Sequence, residues 1–93
     1  MSEQSKQSAI LKHLRELPNS WWVKPTVTNM AGCPDIIGCL AGQFYAFEVK
    51  NKPTDKPSPI QVYQIDKLQK TGARVAVVRS WLDAKTFIDS FSS

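Results

Sequence analysis

Pro34-Asp35-Ile36-Ile37-Gly38-Cys39-Leu40-Ala41-Gly42-Gln43-Phe44-Tyr45-Ala46-Phe47-Glu48-Val49-Lys50 reads as two short apolar strands joined by a two-residue turn. A connection of that length between β-rich runs is a hairpin signal, although Ala at its first position is not ideal for the usual primed turns. Positions 35–40 and 43–50 are the expected strands. Alternation puts Glu48 and Lys50 on one face and Val49 on the other. If the hairpin pairs tightly from Leu40 opposite Gln43, Asp35 falls nearly opposite Glu48. Two carboxylates and an ammonium then meet at one end of a sheet. Acids on buried strands are costly unless paired or bound to a cation.

The flanking sequence supplies the rest of the layers. Apolar residues at Ile10, Leu11, Leu14 and Leu17 fit one face of a helix over 4–17, which Ser2 or Ser5 can cap and Pro18-Asn19-Ser20 ends. The aromatic and β-branched run 21–28 predicts a first strand, with Pro25 marking an edge or bulge. Positions 29–34 form a loop. Phe44 and Ala46 share one face of the 43–50 strand, and Tyr45, Phe47 and Val49 the other, as expected for a central strand covered on both sides. Three prolines make 51–59 a surface loop. A second helix follows over 59–71, with Val62, Ile65 and Leu68 inward, Pro59 in its first turn and Gly72 just past its end. A buried strand at 74–79 and a helix near 82–91, with Phe87, Ile88 and Phe91 inward, complete the chain. The order α-β-β-β-α-β-α makes the fourth strand parallel to the third, because a helical crossover separates them. The fold class is therefore α/β, a mixed four-stranded sheet flanked by helices.

Ninety-three residues make a single domain, 1–93. A chain of this size buries only about 60–65% of the surface its unfolded form exposes, which favours a homodimer. A net charge of +4, from twelve Lys/Arg against eight Asp/Glu, suits a polyanionic partner without requiring one. Lys52, Lys56, Lys67, Lys70 and Arg74 gather around the second helix and its preceding loop, in a position to track phosphates. With one histidine (His13) and two cysteines (Cys33 and Cys39), one copy cannot assemble a structural zinc set. His13 reads as plain surface, and the two thiols as reduced, buried fillers. The N-terminus has no apolar core of a signal peptide and no run is long enough to span a bilayer, so the expected location is cytoplasmic. Of Trp21 and Trp22, only one can face inward; the other suits a dimer interface, or else a base-stacking platform.

Asp35 and Glu48, with a backbone carbonyl such as that of Val49, form an oxygen-ligand set suited to Mg²⁺ or Mn²⁺. A water activated by that cation can attack a phosphodiester, with Lys50 orienting it or stabilising developing charge. Gln61, at the start of the second helix, can orient Lys50 if that helix begins beside the hairpin end. Glu3 adds a third acid from the first helix. The plain alternative is a structural salt bridge at a sheet edge.

Gly32-Cys33-Pro34-Asp35, the twelve-residue gap to Glu48-Val49-Lys50, and Gln61 beyond them resemble the PD-(D/E)XK nuclease superfamily. The closest resemblance is to its VRR-NUC (virus-type replication-repair nuclease) domain in the small standalone form found in phages. The likeness covers nearly the whole chain. It implies a restriction-endonuclease-like α-β-β-β-α-β core and Mg²⁺- or Mn²⁺-dependent cleavage of DNA. Small members are similar to homodimeric Holliday junction resolvases, so the expected substrate is branched DNA, a four-way junction above all. On that likeness Asp35, Glu48, Lys50 and Gln61 are catalytic, and Asp35, Glu48, Val49 and Glu3 hold the metal. The alternatives are a non-cleaving DNA-binding module of the same fold, or a nuclease acting on flaps, single strands or duplex.

Overall fold

The computed structural model describes residues 2–92. In chain order they form α1 (Glu3–Arg15), β1 (Ser20–Val23), β2 (Ile36–Leu40), β3 (Gln43–Val49), α2 (Pro59–Lys70), β4 (Arg74–Val78) and α3 (Trp81–Asp89). The sheet order is β1-β2-β3-β4, with the first two pairings antiparallel and β3 parallel to β4. This is the predicted topology. Ser2, Ser58 and Ser80 cap the three helices through their side chains, each satisfying an amide the helix leaves unpaired.

The hairpin turns at Ala41 and Gly42, both at positive φ (50° and 81°). Two consecutive left-handed residues match the right-handed twist of the strands. Ala41 pays a steric penalty there of about 1–2 kcal/mol. Pairing runs from Leu40↔Gln43 to Ile36↔Phe47, the register read from the sequence.

Asp35 itself is not in the strand, which begins one residue later. The first strand is also shorter than predicted, ending at Val23 instead of position 28. Pro25 has no N–H for the ladder, and residues 26–31 run exposed.

One sheet face carries the core. Trp22, Ile36, Tyr45, Phe47, Val49 and Val78 pack on Ile10 and Leu14 of α1 and Ala84 of α3. Trp22 is buried while Trp21 is 63% exposed, as the alternation of a strand requires. Gly38 lies beneath Trp22: a Cβ there would sit 2.3 Å from the indole ring and 2.2 Å from the Trp21 carbonyl oxygen. The aromatic layer continues through Phe87, which meets Tyr45 and Phe47 edge-on. Phe91, expected inward, instead lies beyond the end of α3 and is exposed, stacking on the Arg74 guanidinium at 4.0 Å.

The other sheet face is less covered. α2 has no fully buried residue, and Val62, expected inward, is exposed together with Tyr63. Phe44 also remains partly open on this side. α2 is fixed less by burial than by its N-terminus, where Ser58 and Gln61 form a reciprocal capping box behind Pro59. Cys33 and Cys39 are free and only half-buried, not the buried fillers expected. His13 is exposed as read, and stacks on Trp81. Among the described residues no helix is long and apolar enough to cross a membrane.

Candidate active site

Four side chains named from the sequence meet where β3 ends. Asp35 arrives from the long β1–β2 loop, which is braced against the start of α2. Gly32 stands at φ +79°, and any Cβ on it would lie 2.7 Å from the Ile60 carbonyl oxygen. Gln64 adds a hydrogen bond from Nε2 to the Ala31 carbonyl at 3.3 Å. From this anchored approach, Asp35 Oδ2 accepts the Val49 backbone N–H at 2.8 Å. A side-chain oxygen thus replaces the next backbone rung, which is why the ladder stops at Ile36.

Glu48 lies near the end of β3 and is 1% exposed. Its Oε1 accepts Gln61 Nε2 at 3.1 Å; its Oε2 is buried with no hydrogen-bond partner. The pKa of this carboxyl is pushed up to about 9, first by burial and then by the Asp35 carboxylate beside it. The Lys50 ammonium opposes the shift, and the Glu3 charge adds to it. Two carboxylates set against each other are both acceptors, so the pair requires a proton or a cation between them.

Lys50 follows β3. Its backbone N–H donates to the Val78 carbonyl at 3.0 Å, and its Nζ donates to Gln61 Oε1 at 3.1 Å. That same oxygen accepts the Ser58 N–H at 2.8 Å. Gln61 therefore links lysine and glutamate through one amide, whose orientation the capping box sets. The sequence marks Gln61 through its place in the motif and also as a helix-start residue; the structure joins both roles in one side chain.

The remaining predicted residues lie less centrally. Glu3 opens α1 and is felt at Glu48 as charge. Among the described residues no group of three His, Cys, Asp or Glu is gathered closely enough to hold a metal; Asp35 and Glu48 are the acids that meet. Val49 enters the site through its backbone. The basic residues around α2 do not form one patch. Arg74 begins β4 opposite Tyr45, at the far end of the sheet, and bonds the Tyr45 hydroxyl at 2.8 Å. Lys70 pairs with Asp66 at 2.9 Å, and Lys67 lies over the Tyr63 ring. Sequence reading missed Lys6 and Arg79, whose side chains donate to carbonyls of the segment after Lys50.

The donor set fits a hard divalent cation. It offers carboxylate oxygens, one of them buried and unpartnered, with no thiol or imidazole among the four residues that meet.

A scan against protein-family models finds no match, and a search of curated proteins finds none either. Solved structures are similar, two of them described as follows. One, described as a "VRR_NUC domain", superposes with a TM-score of 0.81 at 27% identity, covering 96% of this chain and 96% of that one. The other, a "VRR_NUC domain protein", gives a TM-score of 0.77 at 18% identity, over 99% of this chain and 88% of that one.

Proposed function

The chain folds as a VRR-NUC domain, a nuclease-type architecture, and from that premise we propose that it is a Mg²⁺- or Mn²⁺-dependent DNA endonuclease. The observation that carries this reading is the Asp35–Glu48 acceptor pair, tied to Lys50 through Gln61. Asp35 and Glu48 would be the ligands, with the Val49 carbonyl beside them and the Glu3 charge felt at Glu48. A divalent cation bound there would supply the charge that activates water and offsets negative charge on the phosphate.

The protein's own groups do the positioning. The Val49 N–H holds Asp35 in place, so the site is built before substrate arrives. Glu48 would hold such a cation as a carboxylate, its proton released, with the metal's charge offsetting the repulsion between the two acids. Gln61 keeps Lys50 extended toward the same corner, where the ammonium can donate to an oxygen gaining charge. A glutamine suits this place because its amide accepts from lysine and donates to glutamate at once.

We assign branched DNA, the four-way junction in particular, as substrate and a homodimer as the working form. Two copies would present two such sites to symmetrically placed strands. Exposed Trp21, in register with Cys39 and Phe44 across the less-covered sheet face, supports association between copies. Free Cys33 and Cys39 suit a reducing compartment such as the cytoplasm. The test is a panel of end-labelled four-way junction, flap, duplex and single strand, each with Mg²⁺, Mn²⁺ or chelator. Paired nicks in the junction with metal, and none with chelator, are expected. Cleavage of single strands alone would reassign the substrate, and binding of the junction without cutting would make this a DNA-binding module.

A further inference from the structure

Two cations at the site end of the sheet are held without a carboxylate. Lys6, in α1 one turn beyond Glu3, donates from Nζ to the Asn51 carbonyl at 2.6 Å. Arg79, directly after β4, donates from Nε to the Lys52 carbonyl at 2.9 Å and from Nη2 to the Asp55 carbonyl at 2.6 Å. All three carbonyls belong to the segment that leaves Lys50 and leads to α2. The ion pairs among the described residues are His13–Glu16, Lys70–Asp66 and Lys85–Asp89, and neither Lys6 nor Arg79 enters one. The acids nearby in sequence are otherwise engaged. Asp83 accepts the Arg79 backbone N–H at 2.8 Å, and Asp55 accepts the Lys52 backbone N–H at 2.9 Å.

Both residues also line an open cleft of about 250 Å³, together with Ala9, Ile10, Ser80 and Trp81. No carboxylate lines it. Carbonyl dipoles fix the direction of the two charged groups without neutralising them, and both border a largely apolar floor. The cleft opens at the same end of the sheet as the proposed reaction centre. Lys50 and Arg79 each follow a member of the Val49↔Val78 pair on neighbouring parallel strands, and the Glu3 charge is felt at Glu48.

We propose that this cleft is a subsite for a DNA backbone phosphate next to the one that is cut, held by Lys6 and Arg79. The proposal rests on the nuclease reading for its substrate and adds the path of the strand: from Lys50 over the ends of β3 and β4 toward α1 and α3. Arg79 then has two roles, because the guanidinium that meets the phosphate also pins the segment connecting Lys50 to Gln61.

The test is equilibrium binding of the full chain to a four-way junction in chelator, across a range of salt. Losing one phosphate contact lowers the slope of log affinity against log salt by about 0.9. Lys6→Gln is expected to show that decrease and Arg79→Lys to keep the wild-type slope; equal slopes for wild type and Lys6→Gln would overturn the subsite. A second measurement uses the unaltered protein and neutral methylphosphonates placed singly along the strand. Weakened binding is expected at one position beside the cut, with a smaller weakening there in Lys6→Gln, where Arg79 alone remains; a flat scan overturns the proposal even if the variants misfold. Cleavage by the wild type with Mg²⁺ separates the two readings. Cutting with a flat scan removes the subsite alone, the expected scan without cutting removes the nuclease reading alone, and failure to bind removes both.

Discussion

Asp35 Oδ2 accepts the Val49 backbone N–H at 2.8 Å, across the open end of the β2–β3 hairpin. The bond gives an acidic side chain a structural place that does not need its charge. An asparagine oxygen can accept the same N–H. Asp35→Asn is therefore expected to fold and to melt at or above the wild-type temperature without metal, since it also removes repulsion on Glu48. Cleavage should fall by more than the roughly 10–100-fold typical when only an outer partner of a metal ligand is lost. Calorimetric Mn²⁺ binding and melting curves of the two proteins check both halves.

Glu48 gives a pH signature. Its pKa in the folded chain, about 9, lies above the ordinary 4.5. The native state thus keeps a proton the unfolded chain releases, and this group's contribution to stability declines as pH rises from about 4.5 to about 9. Glu48→Gln should flatten that decline. Added Mg²⁺ should raise the wild-type melting temperature most at the alkaline end, where a cation replaces the missing proton. Melting at pH 5, 7 and 9, with and without Mg²⁺, reads the effect; a wild-type profile matching that of Glu48→Gln would count against it.

Gln61 carries two jobs that can be separated. Gln61→Ala breaks the capping box and the link between Lys50 and Glu48. The expected result is about 1 kcal/mol less stability and a rate lower by roughly 10–100-fold. Ser58→Ala removes the cap hydroxyl and leaves the amide in place, so it should match the stability loss with a much smaller effect on rate. Denaturant midpoints and single-turnover rates for the pair decide whether the amide acts beyond capping.

Ala41 tests the hairpin far from the site. It occupies a left-handed conformation, φ 50°, ahead of Gly42. Ala41→Asn supplies the residue this turn prefers and should recover about 1 kcal/mol, or about 4–8 °C in melting temperature. Cleavage should be unaffected. A lower melting temperature would mean that the turn is held by something other than its backbone conformation.

The hairpin was legible because a two-residue connection leaves one register in which the apolar faces agree, and that register sets Asp35 beside Glu48. Local signals also marked the helix starts: Ser58, Pro59 and Gln61 announce α2 before any packing is known. What escaped reading depends on distant partners. β1 stops at Val23, before Pro25, and the loop that follows braces Gly32 on Ile60, a contact no local pattern contains. Helical spacing placed Val62 inward, but α2 lies on its sheet face without burying a whole stripe. Arg74 looked like part of a basic surface near α2, whereas the parallel β3–β4 register carries it to the opposite end of the sheet. Lys6 and Arg79 gave no signal because carbonyls from another segment define their positions.

The most direct test of metal-dependent cleavage at this corner compares wild type with Lys50→Ala, purified in parallel, on labelled four-way junction with Mg²⁺. The wild type should cut, chelator should stop it, and Lys50→Ala should cut at least about a hundredfold more slowly while binding the junction comparably. Equal cutting by both proteins, or wild-type cutting that persists in chelator, would contradict the account.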